Sequence, residues 1–526
     1  MAGQATILPP LPGASAVHLN DLDYAVFAVY LLALSLVVWR VSRRERDSVD
    51  YFLAGRNLTW WVIGCSLVAS NISTEHFVGM AGSGFDVGLA IAAYEWMAAV
   101  TIVFVGWLFL PRFLRHGVYT IPEYLQLRYS PAARTVFAAV MVINFIFIAL
   151  ATVLYSGGLA LQAIFGVHWP WGVVVLALIG GAYTVWGGLA AAVYTDVVHL
   201  VFLLAGGVIA TWIGLRQVGG FSALMEAEPQ RFDAILPADH PDLPWVGVFF
   251  GGMWVANFFY WGCNQYIVQG TLGARNLAEG QRGILMAAFL KLWIPFIVVI
   301  PGIVAHRLYA GSLPDKDMAY PHLIVQLLPT GLAGLMLAAL LGAVLSSVDS
   351  MTNSASTIFT MDLYARLKRA DPQRDAVRLL KVGRWATALI VLAAAAWTPV
   401  VSSAGGVFNY IQNAWLFFTP GVLAAFVLGF FWPRASARGA MAALLGSIPL
   451  SLALMQVFPD LAFLNRGGIV FLLCCGLIAL LADRRGAVRA PAPAAPAPVD
   501  LTPARGYWAV GSLVLATVAG LYWYFG

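Results

Sequence analysis

Long apolar stretches separated by short polar ones run along the chain from about residue 20 to its end. Each apolar stretch has about 20 residues, the length that a helix needs to cross the hydrocarbon layer of a membrane. The pattern predicts an all-α, polytopic membrane protein with about 14 transmembrane helices. The predicted spans are 23–42, 57–83, 87–111, 132–164, 171–188, 190–215, 243–268, 281–306, 328–362, 383–401, 405–432, 438–458, 467–482 and 507–525.

Composition and charge agree with this prediction. Of the 526 residues, 61% are hydrophobic and only 10% are charged, so one water-soluble core could not bury the apolar surface. Most of the 30 Lys and Arg residues fall in alternate loops, and basic loops stay in the cytoplasm. This bias predicts a multi-pass protein of the plasma membrane, or of a bacterial inner membrane, with its N-terminus outside. The net charge of +5 thus reflects topology; it indicates no nucleic-acid partner, and no segment indicates an obligate protein partner.

Polar residues interrupt the span 57–83. The motif SNISTEHFVGMAGSG, residues 70–84, combines a run of polar side chains, Asn71, Ser73, Thr74, Glu75 and His76, with three glycines. A helix that unwinds between Ser70 and Thr74 would free carbonyl groups for a cation and side chains for a polar solute. Alternatively, Asn71 and Ser73 bond to neighbouring helices and the glycines permit close packing.

A second interruption occurs in the motif GGMWVANFFYWGCNQY, residues 251–266. If this segment is one helix, Asn257, Tyr260, Trp261 and Asn264 share a face, because they are spaced at i, i+3, i+4 and i+7. Two interrupted helices at matching places in two halves indicate a transporter built from inverted repeats, with its binding site between them.

Three further polar side chains lie inside predicted spans. Glu95 has no charged neighbour in the sequence, and Lys291 is the one basic residue that lies deep within a predicted span rather than near its end. Because a buried charge needs a partner, we predict that these two side chains pair across a cavity. Gln412 either lines the same cavity or is an amide that packs between helices.

Hydroxyl groups follow one face of the span 328–362. Ser346, Ser347 and Ser350 are spaced with Ala343 at i, i+3, i+4 and i+7. Neutral oxygen ligands of this kind, together with freed carbonyls, suit Na⁺. The alternative is that the serines bond back to carbonyls of their own helix.

Asp196 and Asp349 are two further carboxylates within predicted spans. If both approach the same region, they either share a proton or hold a second cation together with Ser350. A structural salt bridge is the alternative.

Several long motifs occur in order between about residue 50 and residue 433. They are DYFLAGRNLTWW, SNISTEHFVGMAGSG, YEWM, YTIPEYLQLRY, GGLAAAVYTDVVH, WVANFFYWGCNQYIVQ, LSSVDSMTNSASTIFTMDLY, and YIQ followed by PGVLAAFVLGFFW. In these motifs the chain resembles the sodium/solute symporter family, and most closely its sodium/glucose and sodium/galactose branch. The resemblance implies a LeuT-type fold of five plus five helices in inverted repeat, with additional N- and C-terminal helices.

The same resemblance divides the chain into seven segments. We expect an extracellular N-terminus and extra helix, a first five-helix repeat, an extracellular loop, a second inverted repeat, two extra helices, a Pro/Ala-rich linker and a final helix. These segments are 1–56, 57–217, 218–242, 243–432, 433–489, 490–505 and 506–526, respectively.

The resemblance also implies which residues bind the ligands. Six polar side chains would bond to sugar hydroxyls, Tyr260 would stack on the sugar ring as an inner gate, and Trp261 would support that gate. The six are Asn71, His76, Glu95, Asn257, Lys291 and Gln412. The Na⁺ site would use the carbonyls of Ala69, Ile72 and Ala343 and the hydroxyls of Ser346 and Ser347.

Three positions depart from the family pattern. Ala149 stands where a bacterial galactose transporter has an asparagine, Gly270 stands where members commonly have an arginine, and Asp349 replaces a small residue. These differences bear on the choice of sugar and on the cytoplasmic side of the site.

The leading hypothesis is Na⁺-coupled import of a glucose- or galactose-like hexose by alternating access. A Na⁺ symporter for inositol, sialic acid or another polar solute is the alternative within the same class. A sugar sensor that does not transport is a third hypothesis. We expect no enzymatic activity, because no span carries a nucleophilic triad or a metal-binding cluster.

Overall fold

The computed structural model describes residues 20–42, 57–118, 120–186, 189–313, 315–329, 331–371, 374–403, 406–483 and 499–526. These residues are almost entirely helical. The predicted loop 43–56 and most of the predicted linker 490–505 lie outside the described residues.

In the described part of the chain, ten continuous helices are long and apolar enough to cross a membrane, and a bent pair forms an eleventh span. If α1, the interrupted α2 and the shorter apolar helix α5 are also counted as spans, the described residues contain fourteen, the number predicted from the sequence. The spans are α1 (Asp21–Ser42), α2a (Trp60–Asn71) with α2b (Ala81–Asp86), α3 (Ala93–Leu108), α4 (Pro131–Asn144, continuing as Ala151–Phe165), α5 (Trp169–Trp186), α6 (Leu189–Gln217), α7a (Gly252–Gly262) with α7b (Gln265–Leu272), α8 (Leu277–Tyr309), α9 (Leu332–Thr357), α10 (Ala376–Ser402), α11 (Val407–Phe431), α12 (Ala437–Val457), α13 (Phe463–Leu480) and α14 (Tyr507–Phe525).

The start of α10 differs from the predicted bound. The helix begins at Ala376 rather than at residue 383. Its first turns carry Arg378, Lys381 and Arg384. A hydropathy window omits such a charged end, although the helix itself continues beyond the apolar stretch.

Both predicted interruptions are present. In α2, the helix stops after Asn71, Ile72 is extended with φ −79° and ψ 100°, and a π-helical turn, Glu75–Met80, leads into α2b. In α7, the two halves meet at an angle of 45°. The prediction that Asn264 shares a helical face with Asn257 is wrong, because α7a ends at Gly262 and Asn264 lies beyond the break.

The long helix α8 packs against both halves of α2, and two glycines permit the close approach. A methyl group at Gly302 would come within 2.1 Å of the Ala81 carbonyl oxygen in α2b. A methyl group at Gly283 would come within 2.8 Å of the Trp60 carbonyl oxygen in α2a. Lys291 lies between these two contacts on α8.

Shorter helices cover the ends of the spans. Phe221–Ala227 follows α6, and Lys316–Met318 with Ala319–Leu327 joins α8 to α9. Ile121–Arg128 joins α3 to α4. On the outside of these spans, α12 packs on α11 and α13, and α14 packs on α3 and α8.

Candidate functional site

A polar cavity lies where the break in α2 meets α3, α7a, α8 and α11. All eight side chains that the resemblance assigns to substrate line it. The lining residues are buried within the helix bundle. The space between the lining atoms, including solvent that opens onto it, is about 450 Å³. The eight are Asn71, His76, Glu95, Asn257, Tyr260, Trp261, Lys291 and Gln412.

An ion pair crosses the cavity from α3 to α8. Lys291 Nζ lies 2.5 Å from Glu95 Oε2, which confirms the predicted pairing. The same ammonium group donates to Asn71 Oδ1, and His76 Nε2 lies 3.4 Å from Glu95 Oε1. Lys291 is fully buried, and a buried ammonium group persists when it is paired and hydrogen-bonded in this way. The network thereby joins α2, α3 and α8 around one charge pair.

Aromatic rings form one wall of the cavity. Asn71 Nδ2 donates to the Tyr260 hydroxyl at 2.8 Å, and that hydroxyl also bonds to Tyr266. The Tyr260 ring lies 5.2 Å from the Trp415 ring and 5.2 Å from the Trp261 ring, measured between centroids. Such a wall offers flat apolar faces beside the polar groups of α2 and α3.

Some polar groups of the cavity keep hydrogen-bonding capacity. His76 Nδ1 is buried and has no hydrogen-bond partner among the described residues. Asn257 uses its amide nitrogen to donate to the Met253 carbonyl at 3.1 Å. Gln412 lines the cavity from α11, in agreement with the first of its two predicted roles. A ligand with several hydroxyl groups could use this remaining capacity.

A second polar cluster surrounds Asp196 on α6. Its carboxylate accepts hydrogen bonds from Ser66 at 2.6 Å, from Ser70 at 3.1 Å and from Ser346. Ser70 also bonds to Ser350 at 3.2 Å. None of the salt bridges in the described part of the chain includes Asp196. This buried carboxylate therefore has hydroxyl donors but no basic side chain beside it.

The residues predicted to bind Na⁺ lie on α2a and α9, which pack together beside this cluster. Ala69, Ile72 and Ala343 are buried. Since α2a ends at Asn71, carbonyls of its last turn, including that of Ala69, lack helical partners. Ser347 Oγ is fully buried without a hydrogen-bond partner among the described residues. Ser346 instead donates to Asp196, and Asp349 is buried on the same helix.

The sequence analysis missed several residues of both regions. Ser66 and Ser70 hold the Asp196 carboxylate, and their spacing of i, i+4 on α2a could have indicated a shared hydroxyl face. Other missed residues line the cavity and carry no signal beyond being apolar or aromatic, apart from Glu75, which belongs to the quoted motif. They are Glu75, Met80, Tyr94, Ala98, Ala256, Phe408 and Trp415.

Comparison with known proteins gives consistent matches over most of the chain. A sodium/glucose cotransporter of Vibrio parahaemolyticus is 41% identical over 478 residues, covering 85% of this chain and 88% of that protein. The sodium/myo-inositol cotransporter 2 of Oryctolagus cuniculus is 38% identical over 496 residues, covering 86% and 73%, respectively.

A solved structure of a Na⁺-coupled sialic acid symporter in a substrate-bound, outward-open state superposes with a TM-score of 0.78. It is 25% identical and covers 88% of this chain and 97% of that chain. The superposition confirms the predicted LeuT-type fold. The family model for the sodium:solute symporter family matches residues 51–446, which include both interrupted helices, the ion pair and the Asp196 cluster. On these matches, the chain belongs to the sodium:solute symporter family.

Proposed function

We propose that this protein imports a monosaccharide, a glucose- or galactose-like hexose, by Na⁺-coupled symport with alternating access. One observation carries the proposal: two consecutive residues at the end of α2a form hydrogen bonds in different regions, one in the Asp196 cluster and the other in the polar cavity. Ser70 bonds to Asp196, and Asn71 bonds to Lys291 and Tyr260. An ion that changes the conformation of this helix end therefore also changes the cavity.

The sugar occupies the cavity lined by the eight residues named above. Its hydroxyl groups take over part of the hydrogen bonding that Lys291, Asn71 and Glu95 now make with one another. His76 Nδ1, Asn257 and Gln412 supply further bonds. Tyr260 stacks on the ring as the inner gate and Trp261 supports it, since aromatic faces suit the apolar face of a pyranose.

The cotransported Na⁺ is bound by the carbonyls of Ala69, Ile72 and Ala343 and by the hydroxyls of Ser346 and Ser347. The buried and unpartnered Ser347 hydroxyl supports this assignment. A second cation binds at Asp196 with Ser350 and Asp349, which gives two Na⁺ per sugar. The Ser70–Ser350 bond and the three hydroxyls on Asp196 support the second site.

Coupling follows from binding free energies. Na⁺ favours the outward-open state and organises the sugar site, and each ligand shifts the conformational equilibrium only by its different affinity for the two states. The protein lies in the plasma membrane, or in a bacterial inner membrane, with its N-terminus outside. The excess of Lys and Arg in alternate loops supports this orientation.

The second candidate substrate is a cyclic polyol such as inositol. Like a hexopyranose, it carries several hydroxyl groups on a six-membered ring, and a relative named as a sodium/myo-inositol cotransporter is 38% identical. An acidic sugar such as sialic acid fits less well. Its carboxylate would meet Glu75 and Glu95 in the cavity, and Lys291 is already paired with Glu95.

Radiolabelled uptake into proteoliposomes tests the proposal. We expect accumulation of a hexose only with an inward Na⁺ gradient, across a panel that contains glucose, galactose, myo-inositol and sialic acid. Equilibration without Na⁺ dependence would leave a facilitator, and binding without movement would leave a sensor. Reversal-potential measurements give the stoichiometry: a ratio of one Na⁺ per sugar contradicts the second cation site.

A further inference from the structure

The N-terminal helix α1 stands outside the two five-helix repeats, yet it packs against both helices that meet at Asp196, α6 and α9. Two polar contacts, one near its outer end and one near its middle, fix it there. Neither contact belongs to the substrate cavity or to the groups proposed to bind Na⁺.

The outer contact is a cap on α9. Asp23 Oδ1 accepts hydrogen bonds from the backbone N–H groups of Gly331 at 2.8 Å and Gly334 at 2.7 Å. A carboxylate at a helix N-terminus satisfies unpaired donors and interacts favourably with the helix dipole. The backbones also approach closely, since a methyl group at Gly334 would lie 2.6 Å from Asp23 Cα. These contacts therefore fix the position of the start of α9 along the axis of α1.

The inner contact joins α1 to α6. The Tyr30 hydroxyl lies 3.0 Å from His199 Nδ1, and both side chains are buried. Gly342 of α9 lies directly beneath this pair: a methyl group there would come within 2.7 Å of the Tyr30 oxygen and 2.8 Å of His199 Nδ1. Three helices thus meet in one layer.

This layer lies one helical turn from the Asp196 cluster on both α6 and α9. His199 follows Asp196 by three residues on α6, and Ser346 follows Gly342 by four residues on α9. Ser346 reaches Asp196 only if α6 and α9 keep their present register. A displacement of either helix along the other would separate the hydroxyl from the carboxylate, because side-chain hydrogen bonds tolerate only a few tenths of an ångström.

We propose that α1 sets the register of α6 against α9, with Tyr30 and Asp23 as positioning residues for the cation site at Asp196. The inference rests on the proposed function, since it concerns the affinity for the coupling ion. It assigns a role in ion binding to a helix that contributes no ligand to either site.

Sugar uptake into proteoliposomes, measured as a function of external Na⁺ at saturating sugar, tests this proposal on the full chain. Tyr30→Phe removes one hydroxyl and keeps the ring, so we expect the half-saturating Na⁺ concentration to rise about three- to tenfold. Asp23→Ala should raise it similarly. At saturating Na⁺, the maximal rate and the half-saturating sugar concentration should stay near those of the unmodified protein.

Tyr24→Phe is the matched control, because Tyr24 lies on the same helix with 58% of its surface exposed. If Tyr30→Phe has the same Na⁺ dependence as Tyr24→Phe, the proposal is wrong. A lower thermal midpoint or maximal rate with an unchanged Na⁺ dependence also contradicts it, since a purely structural role predicts that result. Should Tyr30→Phe not fold, Asp23→Ala decides alone. Na⁺-independent uptake by the unmodified protein would instead overturn the proposed function.

Discussion

Glu95 and Asp196 are both buried carboxylates inside the membrane-spanning region, but their surroundings differ in kind. Glu95 faces the ammonium group of Lys291 at 2.5 Å and the imidazole of His76 at 3.4 Å. Among the described residues, Asp196 accepts hydrogen bonds from three serine hydroxyls and forms no salt bridge. Hydroxyl donors stabilise a carboxylate without neutralising it, whereas an ammonium group does both.

The difference separates the roles of the two regions. The charge of Glu95 is compensated within the protein, so its cavity suits an uncharged solute that offers hydrogen-bonding groups. Asp196 lacks such compensation, and burial of an isolated charge is costly. A positive charge from outside the protein would remove that cost. Under the proposed function, the uncharged substrate binds beside Glu95 and a cation binds beside Asp196, and the following experiments test this separation.

The largest effect should follow from removal of the internal countercharge. Lys291→Met leaves Glu95 buried without its ammonium partner, which costs about 3–5 kcal/mol for a buried ion pair. We expect a large fall in the thermal midpoint and loss of transport. The double variant Lys291→Met/Glu95→Gln should recover stability without recovering sugar affinity. Equal stability of the single and double variants would contradict the account of Glu95.

The next largest effect should follow when the charge of either carboxylate, Asp196 or Glu95, is removed singly. Asp196→Asn should raise the half-saturating Na⁺ concentration by about tenfold or more, since hydrogen bonds and contacts to a charged group contribute about 1.5–3 kcal/mol. Glu95→Gln is the matched substitution, and it should weaken sugar binding while the Na⁺ dependence is retained. Uptake kinetics that show the opposite assignment, or identical changes in both variants, would refute the separation of roles.

A smaller effect should come from a single neutral oxygen. Ser347→Ala removes one proposed Na⁺ ligand and should raise the half-saturating Na⁺ concentration by about two- to tenfold with little change in sugar affinity. Ser356→Ala on the same chain segment is the control, because Ser356 bonds to the carbonyl of Asn353 in its own helix. Wild-type Na⁺ dependence in Ser347→Ala would remove this residue from the site.

The smallest effect concerns a third buried carboxylate, outside the membrane spans. Asp317 accepts the backbone N–H of Val407 at 3.0 Å, and burial, reinforced by the charge of Asp315, raises its pKa to about 7. Its contribution to the free energy of unfolding is therefore greatest below about pH 4, declines as the pH rises through about 7, and is constant above that.

Asp317→Asn should flatten this dependence. For the unmodified protein in detergent, we expect the titration of Asp317 to lower the thermal midpoint by roughly 2–4 °C between about pH 5 and pH 8. In Asp317→Asn, this contribution to the pH dependence should be absent. Asp239→Asn, at an exposed position, should keep it. An identical pH profile in both variants would show that Asp317 does not titrate in this range.

Hydropathy was sufficient to predict the spans, and the polar motif was sufficient to predict the break in α2, because lipid imposes both constraints locally. The pairing of Lys291 with Glu95 followed from the scarcity of charges within spans. By contrast, Asn264 was placed on the same face as Asn257 on the assumption of an unbroken helix. The helix ends at Gly262 because of packing, which the spacing of polar residues in the sequence does not reveal.

Contacts between distant segments account for most of what was missed. Ser66 and Asp196 are 130 positions apart in the chain, and nothing in either local sequence indicates the other. Likewise, Trp415 contributes to the cavity wall because α11 turns its ring toward Tyr260. In its local sequence, each of these residues looks like an ordinary apolar or hydroxyl-bearing residue of a helix.

The glycine contacts of α8 bear on how the two halves of α2 are held. Gly283 brings α8 against α2a, and Gly302 brings it against α2b, with backbone touching backbone on both sides of Ile72. One continuous helix thus contacts the chain on both sides of the break. Because α8 contacts both halves of α2, it sets the separation of α2a from α2b in this structure, and with it the width of the break at which carbonyl groups are freed.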